Sequence, residues 1–88
     1  MRIDNPNDYV KYEYRDSLGR LHRIDGPACE NNWGDKIWYN SGKLHREDGP
    51  AVEYNYGTKL WYRDGKLHRV DGPACELKSG TKLWHISG

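Results

Sequence analysis

Three times the chain writes His-Arg, one variable residue, then Asp: His22-Arg23-Ile24-Asp25, His45-Arg46-Glu47-Asp48 and His68-Arg69-Val70-Asp71. An imidazole, a guanidinium and a carboxylate in such proximity are the raw material of acid–base and nucleophilic catalysis. A catalytic His also needs a nucleophile within reach and a third group to orient it. No Ser or Cys recurs beside these histidines, and the trio returns every 23 residues, whereas a catalytic centre is usually made once. The pattern therefore points to structure or to an interface, and no catalytic residue is assigned. Metal binding fares no better. Equivalent histidines two strands apart in a sheet stand about 10 Å from one another. A zinc ion holds its nitrogen ligands at about 2.0–2.1 Å, so it cannot be shared across that gap. His85 falls on the other face in this register and adds nothing. No metal or cofactor is expected.

The elements that must position these residues are written at the same spacing. GRLHRIDGPACEN, GKLHREDGPAVEY and GKLHRVDGPACEL start at Gly19, Gly42 and Gly65. Three copies tile residues 20–42, 43–65 and 66–88 after a leader, residues 1–19, within one domain of 88 residues. The Leu, His, Arg, Asp, Gly-Pro-Ala, Glu, Lys and Trp columns, and the closing Gly42, Gly65 and Gly88, are the same in all three. Recurrence of this kind is the signature of a unit too small to bury its own apolar face, stacked on its neighbours.

Each copy reads as strands joined by turns. Asp64-Gly65 is a strong two-residue hairpin signal, and Ser41-Gly42 stands in its place one copy earlier. A turn there pairs Arg63 with Lys66, Tyr62 with Leu67 and Trp61 with His68. A second turn at Tyr54-Asn55-Tyr56-Gly57-Thr58 sets Glu53 against Lys59, as Glu30 against Lys36 and Glu76 against Lys82. Alternation then puts Val52, Leu60, Tyr62 and Leu67 on the more apolar face, and Ala51, Glu53, Lys59, Trp61 and His68 on the other. The Asp-Gly-Pro-Ala segment cannot be central strand, because Pro lacks a ladder donor. It should form a tight corner in which Asp25, Asp48 and Asp71 cap backbone N–H groups or pair with Arg23, Arg46 and Arg69. The leader supplies a first strand and a cap, with Glu13 where later copies have Trp. The expected fold is all-β: an elongated, twisted, antiparallel array of β-hairpins.

Composition limits the partners. With 14 basic and 13 acidic residues the net charge is +1, which leaves no basic footprint for duplex DNA. No apolar run approaches the length of a membrane span, and MRIDNPNDYV lacks the apolar stretch of a secretory signal. The default compartment is cytoplasmic. Cys29 and Cys75 share a column with Val52, which marks a small buried apolar position rather than a disulfide.

The aromatic columns are the candidates for contact. Trp38, Trp61 and Trp84 either pack copy on copy or present a stripe with His45 and His68 that docks a partner. Positions that differ between copies are freer to serve binding: Ile24/Glu47/Val70, Asn31/Tyr54/Leu77, Trp33/Tyr56/Ser79, and Arg15, Asn40 and Arg63. Trp33 and Tyr56 fall at turn tips and form the leading contact patch. The array ends at Trp84-His85-Ile86-Ser87-Gly88 without a polar cap, an edge that invites pairing with a second copy.

GKLHRxDGPAxExxxGxKxWYxxG, with its Trp column, its Gly-Lys/Arg after the turn and its His column, resembles the MORN (membrane occupation and recognition nexus) repeats. It resembles most closely their variants in bacterial, tailed-phage and giant-virus proteins. The resemblance covers residues 20–88. It departs in writing His-Arg-x-Asp-Gly-Pro-Ala where a typical MORN copy has His-Gly-x-Gly. It implies a β-hairpin array used for binding or scaffolding. The phage association implies a small viral or mobile-element protein that binds an unidentified host protein, such as a defence protein, inside a bacterial cell and inhibits it. A nucleic-acid or nucleotide binder using the aromatic and basic face, and a membrane-surface or structural module, are the alternatives.

Overall fold

The computed structural model describes residues 1–84, which form strands and turns with no helix. The strands, in chain order, are β1 (Arg2–Asp4), β2 (Val10–Tyr14), β3 (Cys29–Asn31), β4 (Lys36–Ile37), β5 (Tyr39–Asn40), β6 (Lys43–Leu44), β7 (Val52–Glu53), β8 (Lys59–Leu60), β9 (Tyr62–Arg63), β10 (Lys66–Leu67), β11 (Cys75–Glu76) and β12 (Lys82–Leu83). Eight of them make one antiparallel sheet in the order β1-β2-β3-β4-β7-β8-β11-β12, while β5-β6 and β9-β10 are separate two-stranded ribbons.

From β3 onward the sheet is almost everywhere two residues wide, and each row of residues has one character. One row runs Glu30, Lys36, Glu53, Lys59, Glu76, Lys82, so every neighbour is of opposite charge. The expected Glu–Lys pairs within each hairpin are present, and the same pairing continues between hairpins, Lys36 with Glu53 and Lys59 with Glu76. Opposite charges placed directly across a ladder contribute about 0.2–1 kcal/mol each. The other row runs Cys29, Ile37, Val52, Leu60, Cys75, Leu83 and is apolar throughout. Val52 and Cys75 are its buried members, and both cysteines are free thiols. Burial raises the pKa of the Cys29 thiol, and the facing Glu13 carboxylate raises it further.

The ribbons turn where the Asp-Gly signal placed them. Asp64 and Gly65 have φ of 50° and 80°, and Ser41 and Gly42 have 51° and 81°. Positive φ at both central residues makes these type I′ turns, whose twist matches that of the flanking strands. Arg63 faces Lys66 and Tyr62 faces Leu67, as expected. Each turn is tied to the copy before it, since Gly65 N–H donates to the Leu44 carbonyl and Gly42 N–H to the Leu21 carbonyl, both at 2.8 Å. A Cβ added at Gly65 would meet only Lys43 Cβ at 3.9 Å, so its cost is conformational rather than steric. Gly65→Ala is expected to lower stability by about 1 kcal/mol. Urea denaturation checks this; an unchanged midpoint would show that the turn relaxes at no cost.

Three expectations need correction. The strands do not run unbroken through the Trp positions. Trp61 N–H donates to the Ala74 carbonyl at 2.8 Å and Trp38 N–H to the Ala51 carbonyl at 2.7 Å, which ends the sheet strand and starts the ribbon. Leu60 and Tyr62 therefore belong to different sheets, not to one continuous face. Second, the Ala column is not part of a polar face. Ala28, Ala51 and Ala74 are 0% exposed, the most enclosed residues in the described chain, because the backbone crosses there from corner to sheet. Third, the leader supplies two strands, and Tyr14 rather than Glu13 stands where later copies have Trp. Tyr14 N–H donates to the Ala28 carbonyl, and His22 N–H donates to the Tyr14 carbonyl, as His45 and His68 N–H do to Trp38 and Trp61. The leader's turn holds one more residue than its ribbon counterparts, and the Asp16 carboxylate secures it by accepting from the backbone N–H of Leu18 and Arg20.

The core is shallow: no large side chain is fully buried among the described residues. The extents are 34 × 25 × 18 Å, so the elongation is modest.

Candidate functional site

The His-Arg-x-Asp trios build corners around arginine. Arg46 lays its guanidinium on the Trp38 ring, 3.9 Å from the centroid, and Arg69 lies on Trp61 at the same distance. Arg23 lies on Tyr14 at 4.1 Å. In each case the aromatic comes from the hairpin before and the arginine from the corner after. The opposite side of the guanidinium is closed by glycine. A Cβ at Gly49 would stand 2.9 Å from Arg46 Cζ, and the same approach is made by Gly26 to Arg23 and Gly72 to Arg69. The Nε and Nη1 edge of the guanidinium is bonded as well. Arg46 Nε donates to Asp48 at 3.1 Å, and Nη1 donates to the Pro50 carbonyl and to Glu53. Arg69 makes the same set with Asp71, Pro73 and Glu76. Arg23 bonds Asp25 and the Pro27 carbonyl. The Asp–Arg pairing anticipated from sequence is thus one contact of a larger cage. Its Arg23 hydrogen bond holds the Asp25 carboxyl below the usual carboxylate range. That contribution is present above the ordinary carboxylate pKa and fades as pH falls through the lowered one.

His22 and His45 each tie their corner to the next ribbon. His45 Nδ1 accepts from the Asp64 N–H at 3.1 Å, and His22 Nδ1 accepts from the Ser41 N–H at 2.9 Å. The His45 ring proton therefore sits on Nε2, where it meets Glu47. Arg63 reaches Glu47 from the other side at 3.5 Å. No group of three or more His, Cys, Asp or Glu side chains able to hold a metal ion occurs among the described residues.

Two clefts lie between successive corners. The first, about 660 Å³, is lined by Ile24, Asp25, Trp38, His45 and Glu47 among others. The second, about 530 Å³, is lined by Glu47, Asp48, Trp61, Arg63, His68 and Val70 among others. Arg46, Glu47 and Asp48 form the wall common to both.

The opposite ends of the sheet strands carry the turn tips. Trp33 and Tyr56 are 57% and 50% exposed, as solvent-facing as the sequence suggested. Each has a partner that periodicity did not reveal. Trp33 stacks on Tyr9 with centroids 5.9 Å apart, and Tyr56 on Tyr54 at 5.1 Å. The tips are also bonded to one another. Asn55 N–H donates to Asp35 at 2.7 Å, Asn55 Nδ2 donates to the Trp33 carbonyl, and Asn32 reaches back to the Tyr9 and Asp8 carbonyls. The result is a fixed aromatic ridge.

The structure does not gather all the candidates. Trp33 and Tyr56 lie on the ridge; Trp38, Trp61, His45, His68 and Arg63 line the clefts across the sheet. Trp84 is 66% exposed beside β12. The terminal edge named for self-pairing includes residues 85–88, and with His85 and Gly88 it lies outside the described residues. Tyr9 was missed as a ridge member; its signal was only the aromatic count of the leader.

No family model, curated protein or solved structure matches this chain. No helix of the described residues is long and apolar enough to cross a membrane.

Proposed function

We propose that this chain is a non-catalytic protein-binding module, a MORN-like array of β-hairpins that docks a partner protein on its turn-tip ridge. The observation that carries the reading is the pair of stacked aromatics, Tyr9–Trp33 and Tyr54–Tyr56, half exposed on turns already bonded to each other. Trp and Tyr dominate binding hot spots, and a surface ordered before binding loses little entropy on docking. The wider reading is a phage or mobile-element factor that engages and inhibits a cytoplasmic bacterial defence protein. It is supported by the family resemblance alone.

The test is capture from bacterial lysate on the tagged chain, with and without nuclease, beside Trp33→Ala/Tyr56→Ala. One host protein should survive nuclease and fall by about tenfold or more in the double variant, whose circular dichroism stays unchanged. Elution of nucleic acid only, of the chain's own dimer only, or of a partner indifferent to the double variant would overturn the reading.

A further inference from the structure

The two clefts follow one another along the corner side of the sheet, stepping over the wall of Arg46, Glu47 and Asp48 that they share, and their chemistry is not that of the ridge. Trp38 and Trp61 line successive clefts and are half-buried. The corners between them carry outward-facing residues in pairs: Ile24 with Asp25, Glu47 with Asp48, Val70 with Asp71. Ile24 and Val70 are 84% and 78% exposed. The Asp25, Asp48 and Asp71 side chains are 85–88% exposed although each bonds an arginine through one oxygen. The matching arginines are turned inward onto aromatic rings, so the groove shows its carboxylates and hides its guanidiniums. Arg63 is the outward cation here, and it is paired to Glu47.

The step of the groove is set by the sheet. Equivalent corners are two strands apart, or about 9.6 Å at the usual strand spacing. A polyproline II helix has three residues per turn and rises about 9.3 Å in that turn. Its side chains at every third position therefore fall in line at the spacing of the corners. An extended β-strand does not do this, because its side chains alternate and residues three apart point in opposite directions. Aromatic-lined grooves are the usual seat for such helices, since the ligand is already ordered before it binds.

We propose that this groove binds a basic, proline-rich segment in the polyproline II conformation. Its prolines lie against Trp38, Trp61, Ile24 and Val70, and a Lys or Arg at every third residue meets the carboxylates of successive corners: Asp25, then Asp48 with Glu47, then Asp71. The partner is thus defined by chemistry: cationic, proline-rich and periodic in threes. The inference concerns the edge of the sheet opposite the ridge and does not depend on the ridge binding anything.

The probe is a synthetic peptide of about four Pro-Pro-Arg triplets, compared with a Gly-Ser-Arg peptide of equal length and charge and with a Pro-Pro-Glu peptide. Binding to the full chain is followed by tryptophan fluorescence and calorimetry. The Pro-Pro-Arg peptide is expected to bind saturably and about tenfold or more tighter than the flexible peptide, with no binding of the acidic one. Glu47→Gln should weaken binding severalfold, and Arg63→Gln, which removes the cation beside Glu47 and leaves it its bond to His45, should tighten it. Both substitutions are of exposed side chains, so folding is retained and circular dichroism verifies it. Trp33→Ala/Tyr56→Ala should leave the peptide affinity unchanged, which separates this groove from the ridge. Absence of saturable binding at millimolar peptide overturns the proposal. So does equal binding of the flexible peptide, which would mean charge attraction alone. Charge variants that leave affinity unmoved, or loss of binding in the ridge variant, would likewise place the peptide elsewhere.

Discussion

Arg46→Ala lowers the stability of the chain by about 2–4 kcal/mol, and Arg46→Lys restores less than half of that loss. The reason is the number of surfaces one guanidinium satisfies. Its face covers the Trp38 ring, its other face meets Gly49, Nε bonds Asp48, and Nη1 bonds both the Pro50 carbonyl and Glu53. The Asp48 contact adds little, because that carboxylate is 85% exposed and screened by water. The larger part comes from the stacking, the part-buried Pro50 carbonyl and half-buried Glu53, which alanine leaves without this partner. Lysine has a point charge and no plane, so it cannot stack on indole and bond along its edge together. Arg23→Ala supplies an internal comparison. Its ring is the Tyr14 phenol at 4.1 Å, a weaker cation acceptor than indole, so its loss should be smaller. Urea unfolding followed by tryptophan emission measures all three. A loss below about 0.5 kcal/mol for Arg46→Ala would show that the cage is decorative.

Ala51→Leu is the second large effect, a loss of about 2–3 kcal/mol. Ala51 is 0% exposed, and its carbonyl accepts the Trp38 N–H at 2.7 Å where the chain crosses from corner to sheet. Extra methylenes there have no open space to enter and must displace the chain that encloses the site. The neighbouring Val52 lies in the apolar row, where Ile37 and Leu60 flank it and can shift. Val52→Leu is therefore the control and should cost less than half as much. Thermal unfolding of the two variants decides. If both cost the same, the Ala column is no more constrained than the sheet, and its enclosure does not explain why Ala stands there in every copy.

The parts of the fold legible in the sequence are those set by contacts between near neighbours. Asp64-Gly65 announced its turn because few residue pairs tolerate positive φ twice. Glu53 and Lys59 announced their register because a turn fixes which residues face each other. The break at Trp61 was not legible. It depends on Trp61 N–H choosing the Ala74 carbonyl over a place in the strand, and nothing in a period of two marks that choice. The arginine cage was half legible: Arg46 and Asp48 are two residues apart, but Trp38 belongs to the hairpin before. Glycine looked like a turn former in Gly49; it is there because a guanidinium occupies the space a Cβ would need. At the candidate sites, Trp33 and Tyr56 were found because they vary between copies. Their separation from Trp38, Trp61 and His45 could not be seen, because the two groups are divided by a sheet two residues wide rather than by distance along the chain.

That narrow sheet has a consequence for growth. From β3 onward, each hairpin contributes one carboxylate and one ammonium to the charged row, and two members to the apolar row. The last strand of one hairpin is basic and the first of the next is acidic, so every junction has the same polarity. The tiling behaves like a sentence whose clauses all begin and end on compatible words. Inserting or removing a whole clause leaves the grammar, the register and the overall charge of the row as they were. A shift by a single strand would set like charges side by side at the junction. The ladder thus admits change in units of 23 residues and resists anything smaller.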